Sequence, residues 1–166
     1  MEGPRGATEE EFEQVLIMLG DNPSDSSLCR RFPLSFNRDN VENHRIMIED
    51  GKIVSHQGIS EREISVYGCK VKVGSIGGVR TLPEYQNRGF ATKLLDDCIR
   101  KINEDGGDIM LVSGDRGLYR RAGCRQAGEV CFFKIKKQDV AKFDKEVEVV
   151  PYREENLTSV IAAYEK

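Results

Sequence analysis

Hydrophobic residues near the N-terminus recur at helical spacing and predict two short helices. The first helix presents one apolar face, formed by Phe12, Val15, Leu16 and Leu19. Gly20 ends this helix, and Thr8 can cap it because Glu11 stands three residues later, as in a capping box. A second helix is predicted to begin near residues 24–25 and to be interrupted by Pro33. Both helices precede the first predicted strand.

Alternating apolar and polar residues in the middle of the chain predict two β-hairpins. Residues 45–49 and 52–58 flank Asp50-Gly51, which is a strong signal for a two-residue turn. A second hairpin is predicted around Gly68, with apolar residues alternating on both sides of it: Ile64, Val66, Val71 and Val73. The alternation fails across the glycines of residues 74–78, which indicates a bulge or the close approach of a ligand to the backbone.

The second half of the chain adds one long helix between further strands. Residues 90–103 place seven apolar side chains on a single wide stripe: Phe90, Ala91, Leu94, Leu95, Cys98, Ile99 and Ile102. The continuous apolar run 109–112 predicts a strand covered on both faces, and residues 130–135 predict a last core strand. Residues 117–122 predict a short helix. This order of elements predicts an α/β (α+β) fold with a mixed sheet.

Composition and charge narrow the class of protein. The chain has 166 residues, of which 39% are hydrophobic and 32% are charged, and these values suit one globular domain. A net charge of −3 offers no strong positive field for duplex nucleic acid. No apolar run approaches the ~20 residues of a membrane span, and the acidic N-terminus lacks a signal-peptide pattern. We therefore expect a cytoplasmic protein with no nucleic-acid partner and no membrane partner.

The cysteines do not form a metal-site pattern. Five cysteines are present without a C-x-x-C pair, and only two histidines accompany them. We therefore expect no metal site, and we interpret the cysteines as reduced and mostly buried thiols.

The stretch from Gly77 to Ala91 carries the most chemical information. A predicted strand ends, a short loop follows, and the long helix begins at Gly89. The first turn of a helix has unpaired N–H groups and the positive end of the helix dipole, so it binds phosphate readily. Gly89 lets a pyrophosphate approach the backbone, and Arg88 adds a cation. Neither a GxGxxG pattern nor a P-loop is present.

Two motifs in this region resemble those of the GNAT N-acetyltransferase superfamily. Residues 86–91, Gln-Asn-Arg-Gly-Phe-Ala, are similar to the family signature Q/R-x-x-G-x-G/A, and Val79-x-x-x-Pro83 precedes them as in the family. Residues 118–124, Leu-Tyr-Arg-Arg-Ala-Gly-Cys, resemble the family's Tyr-x-x-x-Gly-Phe segment, with cysteine at the usual aromatic position. The order of elements over residues 8–136 resembles the family as well.

The resemblance implies a GNAT-like fold, which is a mixed, mostly antiparallel, twisted sheet with helices on both faces and a splayed parallel strand pair. It also implies acetyl-CoA as cosubstrate, held by eight residues: Val79, Gln86, Asn87, Arg88, Gly89, Phe90, Ala91 and Thr92. In the implied mechanism the N–H of Val79 polarises the thioester carbonyl and stabilises the oxyanion. Tyr119 protonates the departing CoA thiolate as a general acid. Tyr119 and Val79 are thus the candidate catalytic residues.

The sequence departs from the family pattern at two places. Val112 stands where many members have an asparagine that contacts the CoA arm. An alkylamine must lose a proton before it attacks, yet residues 71–79 contain no acid that could act as the base. His56, on an earlier strand, could face the acceptor, and the alternative interpretation is a structural or exposed histidine. The identity of the base stays open at this point.

The end of the chain resembles its beginning. Residues 152–161 align without gaps on residues 7–16, and the alternative interpretation is two unrelated amphipathic helices. We predict a GNAT-like, acetyl-CoA-binding domain over residues 1–148, followed at 149–166 by a linker and the start of a second GNAT-like domain. Residues 75–85 are similar to the "enhanced intracellular survival" group of tandem GNAT proteins. In that group only the first domain keeps the CoA site.

Three functions are compatible with the sequence. The first is the acetyl-CoA-dependent transfer of an acetyl group to a primary amine of a small molecule or peptide. The second is a catalytically weak CoA-binding sensor or scaffold with the same fold. The third is an interaction domain in which Gly89 is only structural. The acceptor stays open among aminoglycosides, polyamines and peptide N-termini, and the oligomeric state stays open between a monomer and a homo-oligomer.

Overall fold

Five strands form one sheet in the computed structural model, which describes residues 1–128, 151 and 153–164. In chain order the strands are β1 (Glu2–Gly6), β2 (His44–Glu49), β3 (Lys52–Val66), β4 (Cys69–Thr81) and β5 (Ile109–Val112). They are neighbours in the same order, with β1 to β4 antiparallel and β4 and β5 parallel. This arrangement confirms the predicted mixed, mostly antiparallel sheet with one parallel pair.

Helices and short 3-10 turns connect the strands. The helices are α1 (Phe12–Leu19), α2 (Ser27–Arg31), α3 (Phe90–Glu104), α4 (Gly117–Arg121) and α5 (Leu157–Tyr164). The 3-10 turns are Glu9–Glu11, Pro23–Asp25, Arg38–Asn43, Pro83–Tyr85 and Glu154–Asn156. Residues 1–126 form one compact unit, and residues 127–166 belong to a second. Among the described residues, no helix combines the length and the apolar character that crossing a membrane requires.

The first helix begins at the predicted cap. The backbone N–H of Thr8 donates to Glu11 at 2.9 Å, and Arg5 donates two hydrogen bonds to the same carboxylate at 2.6 and 2.8 Å. These hydrogen bonds from Arg5 lower the pKa of Glu11 to about 2, so the cap stays charged at neutral pH. The helix ends at Gly20 in the left-handed conformation, as the sequence predicts.

The two faces of the sheet are covered by different helices. Phe12 and Leu16 of α1 belong to one core cluster with Ile46 of β2. Leu94 of α3 belongs to another cluster with Met47, the next residue along β2. Because neighbouring residues of a strand point to opposite faces, α1 and α3 lie on opposite sides of the sheet. The predicted helices on both faces are therefore confirmed.

Several predicted strands differ from the structure. Strand β1 was not predicted, since its sequence is Glu-Gly-Pro-Arg-Gly and shows no apolar alternation. The predicted segments around 52–58 and 64–66 are parts of the single long strand β3. Ile109 and Leu111 are 46% and 43% exposed, so the prediction that this strand is covered on both faces is wrong for the described part of the chain. The predicted strand at 130–135 lies outside the described residues.

A buried ion pair fixes α3 to the sheet. The Nε of Arg45 on β2 donates to the Asp97 carboxylate on α3 at 2.5 Å, and the two side chains are 10% and 3% exposed. Burying a charge away from water is costly unless a partner compensates it. The pair therefore selects the one position of α3 in which both charges are matched.

We expect Asp97→Ala to lower the free energy of unfolding by about 3–5 kcal/mol, because it leaves the Arg45 guanidinium buried without its partner. Asp96→Ala is the matched control, since Asp96 is the preceding residue of the same helix and is exposed. The control should change stability by less than about 0.5 kcal/mol. Urea unfolding followed by circular dichroism measures both values, and equal effects would contradict this role of the pair.

Candidate functional site

A β-bulge interrupts β4 at the point where the parallel strands part. The pairing of β4 with β5 ends at Ile76 and Val112, whereas β4 continues along β3 to Thr81. His56 pairs with Arg80 and Gly58 pairs with Gly77, so Gly78 and Val79 together oppose the single residue Gln57. Gly78 has a φ of 60°, a conformation that favours glycine. The predicted bulge and the predicted splayed pair are both confirmed.

The loop after β4 turns sharply into α3. Asn87 and Gly89 both have positive φ, at 61° and 81°, and Gly89 is the cap of α3. The first hydrogen bond of the helix runs from the Lys93 N–H to the Gly89 carbonyl. The N–H groups of residues 90–92 come before this bond and therefore have no partner within the helix. A Cβ on Gly89 would meet nothing within 4 Å. A ligand can therefore approach the backbone at this glycine.

Gln57 ties the bulge to the turn of α3. Its side chain is fully buried, and its Nε2 donates to the Ala91 carbonyl in the first turn of α3 at 2.7 Å. Since Gln57 is also the residue opposite the bulge, one side chain links the bulge and the start of the helix. The sequence contained no signal for this contact.

A cavity of about 520 Å³ lies between the bulge, the turn and α4. It is lined by Val79, Thr81, Tyr85, Gln86, Asn87, Gly89, Ala91, Thr92, Arg116, Leu118 and Arg121. Six of the eight residues predicted to hold acetyl-CoA are in this set. The other two, Arg88 and Phe90, are not: the Phe90 side chain is buried in the core with Met47 and Leu94.

The Arg88 side chain pairs with a carboxylate of the protein, whereas the sequence predicted that it would bind the cosubstrate. Its guanidinium donates two hydrogen bonds to the Glu49 carboxylate at 2.6 and 2.7 Å, and it lies over the rings of Tyr85 and Phe90. These hydrogen bonds lower the pKa of Glu49. The cation is thus neutralised locally, and Arg88 brings no free positive charge to the cavity.

Two other arginines bring positive charge to the same cavity. Arg116 and Arg121 line it from the two ends of α4, and neither forms an ion pair with any residue that the structure describes. Arg120, between them in sequence, instead pairs with Asp115. Sequence reasoning missed Arg116 and Arg121, although the cluster of arginines around Tyr119 was visible. Arg116 and Arg121 differ from Arg120 in the direction in which the side chain points, and the sequence does not show that direction.

Tyr119 lies on α4, between the cavity residues Arg116 and Arg121, and its side chain is buried. Burial raises the pKa of Tyr119, and the nearby Arg116 opposes that shift. The phenol therefore stays protonated at neutral pH, as a proton donor must be. Its ring is not among the residues that line the cavity.

A second cavity of about 450 Å³ reaches the bulge as well. It is lined by Leu19, Leu28, Phe32, Ser35, Phe36, His44, Gly58, Ser60, Gly77, Gly78, Val79, Arg80 and Ser113. Its walls are mainly apolar, and none of the described residues that line it carries a carboxylate. Val79 lines both cavities, so the bulge is a wall that the two cavities share.

Both histidines of the chain lie beside the bulge. His56 is fully buried, with its Nδ1 2.7 Å from the Gly78 carbonyl and its Nε2 3.0 Å from Nδ1 of His44. Burial lowers the pKa of His56 to about 3 and that of His44 to about 4, so both rings are neutral at neutral pH. The alternative of an exposed His56 is wrong. His44 begins β2, and no sequence signal distinguished it.

The family of the chain follows from its sequence match. A family model described as an acetyltransferase (GNAT) domain matches residues 4–127. The chain belongs to the GNAT acetyltransferase family. It is also 26% identical over 123 residues to the uncharacterized N-acetyltransferase YitH of Bacillus subtilis strain 168. That match covers 72% of this chain and 43% of YitH, so the chain spans less than half the length of this relative.

Solved acetyltransferase structures share the fold. A predicted acetyltransferase from Clostridium acetobutylicum, solved with acetyl-CoA, has a TM-score of 0.60 at 20% identity over 78% of this chain and 94% of that one. The aminoglycoside N-acetyltransferase AAC(6')-Iy, in complex with a bisubstrate analogue, has a TM-score of 0.58 at 19% identity over 80% and 96%. At identities this low, the similarity supports a common fold only. The substrate of this chain has to be inferred from its own residues.

Proposed function

We propose that this GNAT chain is an acetyl-CoA-dependent N-acetyltransferase that acts on a primary amine. The observation that carries the proposal is the bulge at Gly78–Val79, which is the shared wall of a polar cavity and an apolar cavity. Two substrates that occupy these cavities would meet at the Val79 backbone. An acetyl donor on one side and an amine on the other is the arrangement that acyl transfer needs.

The first cavity fits the pyrophosphate end of acetyl-CoA. The backbone N–H groups from Asn87 to Thr92 offer a helix N-terminus, and Gly89 leaves open space in front of it. Arg116 and Arg121 add two positive charges for phosphate groups. The pantetheine arm would then follow the gap where β4 and β5 are no longer paired, and the thioester would reach Val79.

The chemistry at the bulge follows from this placement. The amine nitrogen attacks the thioester carbon, and the carbonyl oxygen becomes an oxyanion that the Val79 N–H stabilises. The C–S bond then breaks, and Tyr119 gives its proton to the CoA thiolate. The amine loses one proton to water, directly or through a base, so the products are the amide and the CoA thiol. Water restores the proton of Tyr119 in the next cycle.

The second cavity favours an amine with an apolar body. Its apolar side chains would bury such a body. Arg80, the one charged residue among the described residues that line the cavity, repels further positive charge. Burial in such a cavity also lowers the pKa of the amine, so that the amine enters in its reactive neutral form. The structural neighbour AAC(6')-Iy is an aminoglycoside N-acetyltransferase. An aminoglycoside carries several ammonium groups, and the described residues that line this cavity offer them no carboxylate.

A CoA-binding sensor is the second candidate function. Among the described residues, no carboxylate lines the cavity in which a base would be needed, and Val112 occupies the position of the family's asparagine. A chain that binds CoA without turnover would need only the first cavity. Tyr119 distinguishes the two functions, since only the enzyme requires a proton donor on α4.

We further propose that a second GNAT-like domain starts within residues 149–166. The Arg153 N–H donates to Asn156 at 3.0 Å, which matches the hydrogen bond from Thr8 to Glu11 at the same offset in the alignment. The turn Glu154–Asn156 and the helix start at Leu157 also align with Glu9–Glu11 and Phe12. The two segments thus agree in sequence, in the hydrogen bond at the helix cap and in the position where the helix begins. This agreement supports an internal repeat over a chance match.

Gly89→Glu should abolish the binding of CoA, because the new side chain and its negative charge would occupy the phosphate site. Gly106→Glu is the matched control, since Gly106 has a similar positive φ of 77° and equally open space at the other end of α3. Isothermal calorimetry with CoA compares the two folded variants. Unchanged CoA affinity in Gly89→Glu would contradict the proposed cosubstrate site.

Tyr119→Phe should keep the affinity for acetyl-CoA and lower kcat on the order of 10²–10⁴-fold, the usual contribution of a positioned acid. Tyr67→Phe serves as control, because Tyr67 is fully exposed in the turn between β3 and β4. Release of the CoA thiol measures the rate. A kcat within twofold of the wild type would remove Tyr119 from the mechanism.

Phenethylamine should be acetylated with a kcat/KM at least about tenfold above that of spermidine, because each additional ammonium would enter the cavity unpaired. Arg80→Glu should narrow this ratio by supplying the missing negative charge. Release of the CoA thiol from acetyl-CoA measures both substrates under the same conditions. Equal or better use of spermidine by the wild type would show that the apolar cavity does not select the acceptor.

A further inference from the structure

The chain has two histidines, and the fold brings both of them together beneath the bulge. Both rings are fully buried, and the rings of Phe12 and Phe36 pack against His44 with centroids 5.6 and 5.2 Å away. His44 bonds to His56, and His56 bonds to the carbonyl of Gly78. The three groups thus form one line of hydrogen bonds that ends at the bulge.

The hydrogen bonds determine which nitrogen of each ring carries its proton. The Gly78 carbonyl can only accept, so Nδ1 of His56 must be the donor. A neutral imidazole has one N–H, so Nε2 of His56 accepts, and Nδ1 of His44 donates to it. Nε2 of His44 is then left with a free lone pair. Both histidines are therefore in the Nδ1–H form.

The free end of this line points to a ligand. Nε2 of His44 is buried and makes no hydrogen bond to any residue in the described part of the chain. Buried acceptors without a partner are rare, because they lose water and gain nothing in return. His44 is also a wall of the apolar cavity in which the acceptor amine would lie. An N–H of the amine is the donor that this lone pair lacks.

The other end of the line controls the direction of the Val79 N–H. The Gly78 carbonyl and the Val79 N–H belong to one peptide unit, which is planar and trans. In such a unit the two groups point in opposite directions. His56 holds the carbonyl on one side, at 2.7 Å, and thereby directs the Val79 N–H to the other.

We propose that His44 is the base that receives the amine proton and that His56 positions the Val79 N–H for the oxyanion. This inference rests on the proposed acetyl transfer and supplies the base that the sequence left open. His44 would be a catalytic residue, and His56 a positioning residue. The same line of hydrogen bonds would join the nucleophile to the group that stabilises the oxyanion.

Each proton in the proposed step has a donor and an acceptor. As the nitrogen–carbon bond forms, the nitrogen becomes cationic and its proton passes to Nε2 of His44. His44 is then an imidazolium with both nitrogens protonated, and its charge strengthens the hydrogen bonds to His56 and onward to Gly78. A more strongly polarised Gly78 carbonyl makes the Val79 N–H a better donor when the oxyanion forms. His44 then returns its proton to water, while water restores Tyr119.

The electrostatics of the pair suit a transient proton carrier. Burial lowers the pKa of His44, so its base form is present before each cycle and the proton leaves afterwards. The Ser35 backbone opposes that shift, because its carbonyl can accept a hydrogen bond from the protonated ring, whereas Nε2 of the neutral ring has no donor among the described residues. In the tetrahedral adduct the nitrogen is already cationic, so a weak base is sufficient to remove its proton.

Asparagine variants separate the two roles. In His44→Asn the amide N–H replaces Nδ1–H toward His56, but the Nε2 acceptor is lost. We expect kcat to fall about 100-fold, within the usual range for a general base, while the Kd for acetyl-CoA stays within twofold. His56→Leu should cause a similar fall in kcat, because it releases the Gly78 carbonyl. His56→Asn keeps a donor to that carbonyl and should recover at least tenfold over His56→Leu.

An NMR measurement on the wild type tests the geometry without any variant. With isotopically labelled imidazole nitrogens, the two histidines give a spectrum with no overlap from others. We expect both rings to be neutral at pH 7 and in the Nδ1–H form, whereas the side chain of free histidine in water favours Nε2–H. An Nε2–H signal from either ring would overturn the proposal, even if the variants failed to fold.

The outcomes distinguish this inference from the proposed function. If the wild type acetylates phenethylamine and His44→Asn keeps kcat within twofold, the base is another group and the acetyltransferase assignment stands. If the wild type binds acetyl-CoA but releases no thiol with any amine, the transferase assignment fails and the role of His44 fails with it. A loss of kcat in His44→Asn with unchanged acetyl-CoA affinity supports both.

Discussion

The bulge in β4 is the constraint on which the candidate site depends. Two residues, Gly78 and Val79, occupy the space opposite Gln57, so the strand turns its backbone groups away from regular pairing. Adjacent residues of β3 hold the two sides of this distortion: His56 binds the Gly78 carbonyl, and Gln57 binds the first turn of α3. The bulge, the apolar cavity and the turn at the start of α3 are thus linked through two adjacent residues of β3.

The position of α3 affects both the stability of the domain and the geometry of the candidate site. Its apolar face packs on the sheet, and the buried pair of Arg45 and Asp97 restricts how it can slide. Its N-terminus is the end that would meet the phosphates, whereas the ion pair lies about two turns further along the helix. The groups that stabilise the domain therefore also place the turn relative to the bulge.

Charge is distributed differently on the two sides of the bulge. The cavity on the side of α3 receives Arg116 and Arg121, while Arg88 is neutralised by Glu49. The cavity on the side of α1 is mainly apolar and is lined by the neutral His44, whose Nε2 has no hydrogen-bond partner among the described residues. An anionic acetyl donor and a neutral amine acceptor are the substrates that such a division suits.

The sequence by itself determined the local elements, because periodicity and turn chemistry act over a few residues. The Asp50-Gly51 hairpin, the helix that begins at Phe90 and the glycine cap before it were all predictable in this way. Tertiary structure alone decided the partners of the polar side chains. His44 meets His56 across 12 residues, Arg88 meets Glu49 across 39 and Arg45 meets Asp97 across 52. No local pattern encodes such pairs, since each depends on how separate strands and helices pack together.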